Sequence, residues 1–209
     1  MAKIISILDD AITSQLILGK NTKQLYVDDE YHISSINKMD LAFNGPDTHA
    51  DICSKIIRKY SPDCYIINIV IKETNMLGDF KKLLVALEYM QHIDIDIVNL
   101  SIGITSKLYV IKLYPAILKL INKNIKIVAA HSNNNSIAYP ASFKNVIGCK
   151  TLESMKNNHL KKPIYYASGS HMIRLNSGKP YITPNLNSYA TAYISSLISN
   201  NIPQYIVIK

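Results

Sequence analysis

Apolar residues in this chain come in short unbroken runs, separated by stretches in which they recur every three or four positions. Residues 4–8 read Ile-Ile-Ser-Ile-Leu, between a lysine and two aspartates. A run of that kind fits a strand buried on both faces. Comparable runs at 64–71, 95–100, 125–130, 145–150 and 164–167 predict further strands. Between them the spacing changes to that of helices. Ile52, Ile56, Ile57 and Tyr60 share one helical face and predict a helix over 49–60, which Ser61-Pro62-Asp63 stops. Phe80, Leu83, Leu84 and Leu87 do the same for 79–91. Leu108, Ile111, Ile117, Leu120 and Ile121 predict a helix over 107–122, and Tyr189, Tyr193, Ile194, Leu197 and Ile198 one over 188–199. Residues 19–48 are polar and turn-rich, with weaker strand signals at 25–27 and 31–36. Residues 170–183 read as a hairpin turning at Asn176-Ser177-Gly178-Lys179.

Strands that alternate with helices of roughly 10–16 residues imply an α/β protein, its mostly parallel central sheet covered by helices on both faces. No internal repeat, low-complexity tract or linker divides the chain, so one domain over residues 1–209 is expected. Such sheets bind ligands outside the carboxyl ends of their strands. Asp9 and Gly103 stand at predicted strand ends and Asn133 just past one, so the candidate chemistry converges on one edge of the sheet.

Composition narrows the picture. Hydrophobic residues make up 48% and charged residues 18%, which fits a packed core and excludes a disordered chain. Lysine and arginine number 23 against 15 acids, a net charge of +8, which suits nucleic acid, anionic lipid or an acidic peptide as partner. The lysines are scattered, the densest runs being Lys81-Lys82 and Lys161-Lys162, and no basic stripe carries interleaved aromatics. Nucleic acid is therefore not the expected partner. The three cysteines, Cys53, Cys64 and Cys149, form no C-x-x-C, so neither a disulfide framework nor a zinc ribbon is indicated. Buried free thiols suit a reducing compartment. The first apolar run is too short and too soon followed by acids for a secretory signal, and no run reaches the ~18 residues of a membrane span. A soluble cytoplasmic protein, not attached to a membrane, is expected.

Three segments carry the chemistry. Asp9 ends the first strand, His49 opens the first long helix, and Ser188 opens the last. A serine hydroxyl becomes a good nucleophile when an imidazole takes its proton and a carboxylate holds that imidazole. Taken singly, each residue has a plainer reading: a turn acid, a surface histidine, one serine among many.

Five blocks together resemble the subtilisin-like serine proteases, over nearly the whole chain. Ile7-Leu8-Asp9-Asp10-Ala11 resembles the family strand ending Asp-Ser/Thr-Gly. His49-Ala50-Asp51 resembles its His-Gly-Thr. Asn99-Leu100-Ser101-Ile102-Gly103 resembles Asn-x-Ser-x-Gly. Val128-Ala129-Ala130-His131-Ser132-Asn133, with Tyr139-Pro140-Ala141 after it, resembles Val-Ala-Ala-Ala-Gly-Asn and Tyr-Pro-Ala. Leu186-Asn187-Ser188-Tyr189-Ala190-Thr191-Ala192 resembles Gly-Thr-Ser-x-Ala-Thr/Ser-Pro.

The resemblance implies a three-layer subtilisin-like fold and an intracellular serine endopeptidase. Ser188 would be its nucleophile, His49 its general base and Asp9 the acid that orients His49. Asn133 would be the oxyanion donor; Asn134 and Asn135 follow directly. Ser101, Ile102, Gly103 and Ser132 would line the substrate groove, and His131 would be structural or groove-lining and not a metal ligand. It implies no cofactor and no metal, and a peptide or protein substrate, with an acidic leader peptide of a ribosomally made product as a candidate. The family glycines are replaced by Ala11, Ala50 and Leu186, and its proline by Ala192. Leu186, two places before Ser188, is expected to narrow the site or shift the serine. A catalytically inactive protein of the same shape, binding a peptide or a partner enzyme, is the alternative. An α/β-sheet esterase would need Gly-x-Ser-x-Gly with its histidine last, which this chain lacks.

Overall fold

A computed structural model describes residues 2–19, 21–35, 46–71, 76–134, 136–153, 164–202 and 207–208, with the side chains of all but 76–79 and 207–208. The predicted runs become β1 (Ile4–Asp9), β4 (Tyr65–Val70), β5 (Ile97–Leu100), β6 (Lys126–Ala130), β7 (Ile147–Thr151) and β8 (Tyr165–Ala167). The weaker signals become β2 (Thr22–Val27) and β3 (Ile33–Ser35), and β11 (Val207–Ile208) lies near the carboxyl end. These nine strands form one sheet in the order β11-β8-β7-β6-β5-β1-β4-β2-β3. Pairing is parallel from β8 across to β2, and β3 and β11 close the two edges antiparallel. The expected hairpin is β9 (Met172–Arg174) paired with β10 (Pro180–Ile182), and Gly178 takes the left-handed conformation (φ +80°) that its turn requires.

The central strands are largely apolar because both faces are covered. Ile5, Ile7, Ile66, Ile97 and Val128 pack with α1 (Gln15–Leu18), α2 (His49–Tyr60) and α5 (Asn187–Ser199). Leu8, Ile67, Ile69, Val98, Leu100, Ile127 and Ala129 point the other way, toward α3 (Met76–Tyr89) and α4 (Lys107–Asn122). The result is three layers around a parallel sheet. Two asparagines interrupt the face under α2 and α5. Asn68 donates to Asp10 O and Gln24 Oε1, and Asn99 accepts from Ser195 Oγ and donates to Ser101 Oγ.

Some expectations shift. α1 and β11, four and two residues long, are too short to show a period and went unpredicted. Two of the apolar positions of α4 face solvent: Leu108 is 78% and Ile111 74% exposed. Its buried stripe is Leu113, Ile117 and Leu120, at helical spacings of four and three. Asn135, position 36 and the Lys161-Lys162 pair lie outside the described residues.

β1 sits between β5 and β4, and the chain runs from β1 toward one side of the sheet and from β5 toward the other. That reversal opens a crevice beyond the carboxyl ends of β1 and β5.

Candidate active site

Asp9 is the last residue of β1, buried to 2% exposure, and its backbone is paired with Val70 of β4, one place after Leu8, which is paired on both sides. The chain beyond it is tied to the start of α2 by two more carboxylates. Asp10 accepts from the N–H of Ala50 at 2.8 Å and of His49 at 3.3 Å, two of the donors that every helix start leaves unpaired. Asp51, fully buried, accepts from Thr13 N, Ser14 N and Thr13 Oγ1, and returns to Thr48 N. Thr48 Oγ1 accepts from Asp51 N, which completes a capping box, and donates to Ala11 O. Each contact pulls the loop after β1 onto the helix end, and together they set His49 beside Asp9.

The imidazole then bridges two partners. His49 Nδ1 lies 2.6 Å from Asp9 Oδ2, and Nε2 lies 3.0 Å from Ser188 Oγ. Ser188 occupies the second helical position of α5. Its N–H carries no hydrogen bond among the described residues, whereas the N–H groups of Asn187, Tyr189 and Ala190 all do. The Tyr189 ring stacks on the imidazole at 5.3 Å between centroids. Burial draws the His49 pKa down, but the adjacent Cys53 sulfur and the Asp9 carboxylate outweigh it and leave it above its usual value.

Asn133 stands across the crevice from His49, on the loop after β6. Its Oδ1 accepts from Asn187 N at 3.0 Å, and its amide NH₂ has no hydrogen-bond partner among the described residues. A cavity of about 490 Å³ joins these groups. Asp9, His49 and Ser188 form one side, Ser101, Ile102 and Gly103 a second, and Ser132 and Asn133 a third; His131 is also on its wall. Phe80 and Tyr109, stacked at 4.3 Å, give it an aromatic end. The structure thus brings together every candidate residue read from the sequence. A hydroxyl, a base in contact with it and two N–H donors at one mouth can support attack on a carbonyl.

Leu186 behaves differently from the expectation. It lies outside the lining of the cavity and packs into the core shared by α2 and α5. Its backbone is extended (φ −111°, ψ 149°), a conformation any residue adopts, so the turn before Ser188 needs no glycine.

Asp9, His49 and Cys53 are the one group of three potential metal donors within 4.8 Å of one another among the described residues. Cys53 Sγ is 3.8 Å from Nδ1 and 3.9 Å from Nε2, so it lies on neither lone-pair axis, and those axes already face Asp9 and Ser188. This arrangement does not fit a metal ligand set.

No family model and no curated protein matches the sequence of this chain. Solved structures do match its fold. A cold-adapted subtilisin-like serine proteinase superposes over 96% of this chain and 76% of its own, with a TM-score of 0.70 at 11% identity. The fold is that of the subtilisin-like serine proteases. The protease domain of PatA shares the subtilisin-like fold over 94% of this chain and 78% of its own (TM-score 0.65, 14% identity). So does the prenylagaramide maturation protease PagA, over 94% and 73% (TM-score 0.59, 14% identity). In this subtilisin-like chain the sequence pointed to Asp9, His49, Asn133 and Ser188. It gave no hint that Cys53 would reach the His49 ring, that Tyr189 would stack on it or that Asn187 would hold the loop after β6. The spacing Thr48-x-x-Asp51 is a capping-box signal that could have marked where α2 begins.

Proposed function

We propose that the protein is a serine endopeptidase of subtilisin type. The single observation that carries this reading is the Asp9–His49–Ser188 chain of contacts, 2.6 and 3.0 Å long, opening on a cavity. Ser188 Oγ attacks a peptide carbonyl carbon while His49 Nε2 takes the hydroxyl proton. Asp9 holds the ring through Nδ1–H and stabilises the imidazolium. The Asn133 NH₂ and the Ser188 N–H, at the positive end of α5, receive the developing oxyanion. His49 then gives its proton to the leaving amine, and water, deprotonated by the same ring, releases the acyl group from Ser188.

The substrate is a peptide lying along Ser101, Ile102 and Gly103, where it adds a strand. A net charge of +8 favours an acidic one, and the leader of a ribosomally made peptide, cut inside the cell, has that character. The fold likeness to a maturation protease supports this choice. The test is hydrolysis of a peptide library by wild type and Ser188→Ala, with acidic leaders included. Cleavage lost in the variant bears the reading out. Equal or absent cleavage in both leaves the inactive binding protein as the answer.

A further inference from the structure

Asn187, the residue before Ser188, makes more polar contacts than any helix-opening side chain needs. It is buried to 3% exposure. Its Nδ2 donates to two successive backbone carbonyls, His131 O at 3.0 Å and Ser132 O at 3.1 Å. Its Oδ1 accepts from Thr151 N at 2.8 Å, at the end of β7. Its own N–H donates to Asn133 Oδ1. One residue therefore grips three consecutive residues of the loop after β6, and anchors that grip on the neighbouring strand. An amide can do this because it carries two donors and an acceptor on one rigid plane, whereas a hydroxyl has a single donor.

We infer that Asn187 is the positioning residue that holds the Asn133 loop in register with the nucleophile. The inference rests on the endopeptidase reading above. The side chain fixes the carbonyls of residues 131 and 132, and the backbone N–H fixes the oxygen end of Asn133. The NH₂ of Asn133 is then held toward the mouth of the crevice before substrate arrives. Such preorganised donors stabilise an oxyanion without rearranging during reaction. Asn187 touches no substrate itself and acts only through Asn133.

That dependence makes a double-mutant cycle decisive. Asn187→Ala should lower kcat by about 10²-fold, with KM changed less than about threefold, because ground-state binding is untouched. Added to Asn133→Ala, it should cost less than about threefold more. Asn187→Asp, of the same shape but facing both carbonyls with an oxygen, should be at least as slow as Asn187→Ala. If Asn187→Ala fails to fold, Asn187→Ser takes its place in the cycle. Effects that multiply, or a loss confined to KM, would overturn the inference.

A readout independent of hydrolysis keeps the two readings apart. In a Ser188→Ala background, amide exchange at Thr151 should quicken at least tenfold on Asn187→Ala, and the Asn133 side-chain amide protons should shift. Unchanged exchange and shifts refute the clamp, whether or not the protein cuts peptides. Clamp signals with no Ser188-dependent hydrolysis refute the endopeptidase reading instead.

Discussion

The N-terminus of α2, which presents His49, carries its own side-chain cap and is also tied to the loop after β1. Thr48 and Asp51 close a capping box, and Asp10 and Asp51 fasten the loop after β1 to the same turn. The N-terminus of α5, which presents Ser188, has Leu186 at its cap and no side-chain cap bond. Its first N–H is received by Asn133, 54 residues away, and its first side chain reaches back to residues 131, 132 and 151. The base thus stands on a helix end closed by its own cap, and the nucleophile on one that lacks a cap and relies on contacts to the loop after β6 and to β7. Damage to α2 should be felt first as lost stability, and damage around α5 first as lost rate.

The largest effects sharpen the point where the two ends meet. Ser188→Ala or His49→Ala should each lower kcat on the order of 10⁶-fold, with little further loss when combined. Asp9→Asn should lower kcat about 10⁴-fold, since an amide favours the wrong imidazole tautomer. Asn133→Ala should cost about 10²–10³-fold in kcat. All are read from steady-state peptide hydrolysis, and thermal melting should barely change for Ser188→Ala.

Asp51→Ala acts on the α2 end. It strips a buried acceptor from the N–H groups of Thr13, Ser14 and Thr48 and should cost about 2–3 kcal/mol. In a chain of this size that is a fall of roughly 4–12 °C in Tm, with hydrolysis retained at temperatures where the variant is folded. An undiminished Tm would show that α2 is not held by this network.

The pH response follows from the His49 environment. A raised pKa keeps the imidazolium populated near neutrality, so kcat/KM should climb as pH rises through that value. The stability contributed by this group has the opposite trend. It is complete below the unfolded pKa of about 6.5 and is lost as pH rises toward the folded value. Cys53→Ala removes a contact that raises the pKa, and should move the rising limb of the rate profile to lower pH. The smallest effect belongs to Leu186→Gly, which restores a family glycine where none is required. It should lower Tm by a few degrees, through lost packing and added chain freedom, and should not raise kcat.

The same contrast explains what the sequence revealed. The sheet was legible because strands covered on both faces read as unbroken apolar runs, and α2 because Ile52, Ile56 and Ile57 repeat with its period. Asp9, His49 and Ser188 were legible only as members of blocks in a familiar order. Asn187 was not, because its partners at 131, 132 and 151 share no local pattern with it. The departure at Leu186 looked damaging in sequence. It proves compatible with the fold because Leu186 sits in extended backbone away from the cavity.

The most direct test of the central claim is intact-mass analysis after brief exposure to a fluorophosphonate probe. A single phosphonyl adduct is expected, mapped to Ser188 and missing in both His49→Ala and Ser188→Ala. An unmodified wild-type protein, or an adduct that persists without His49, would contradict the claim.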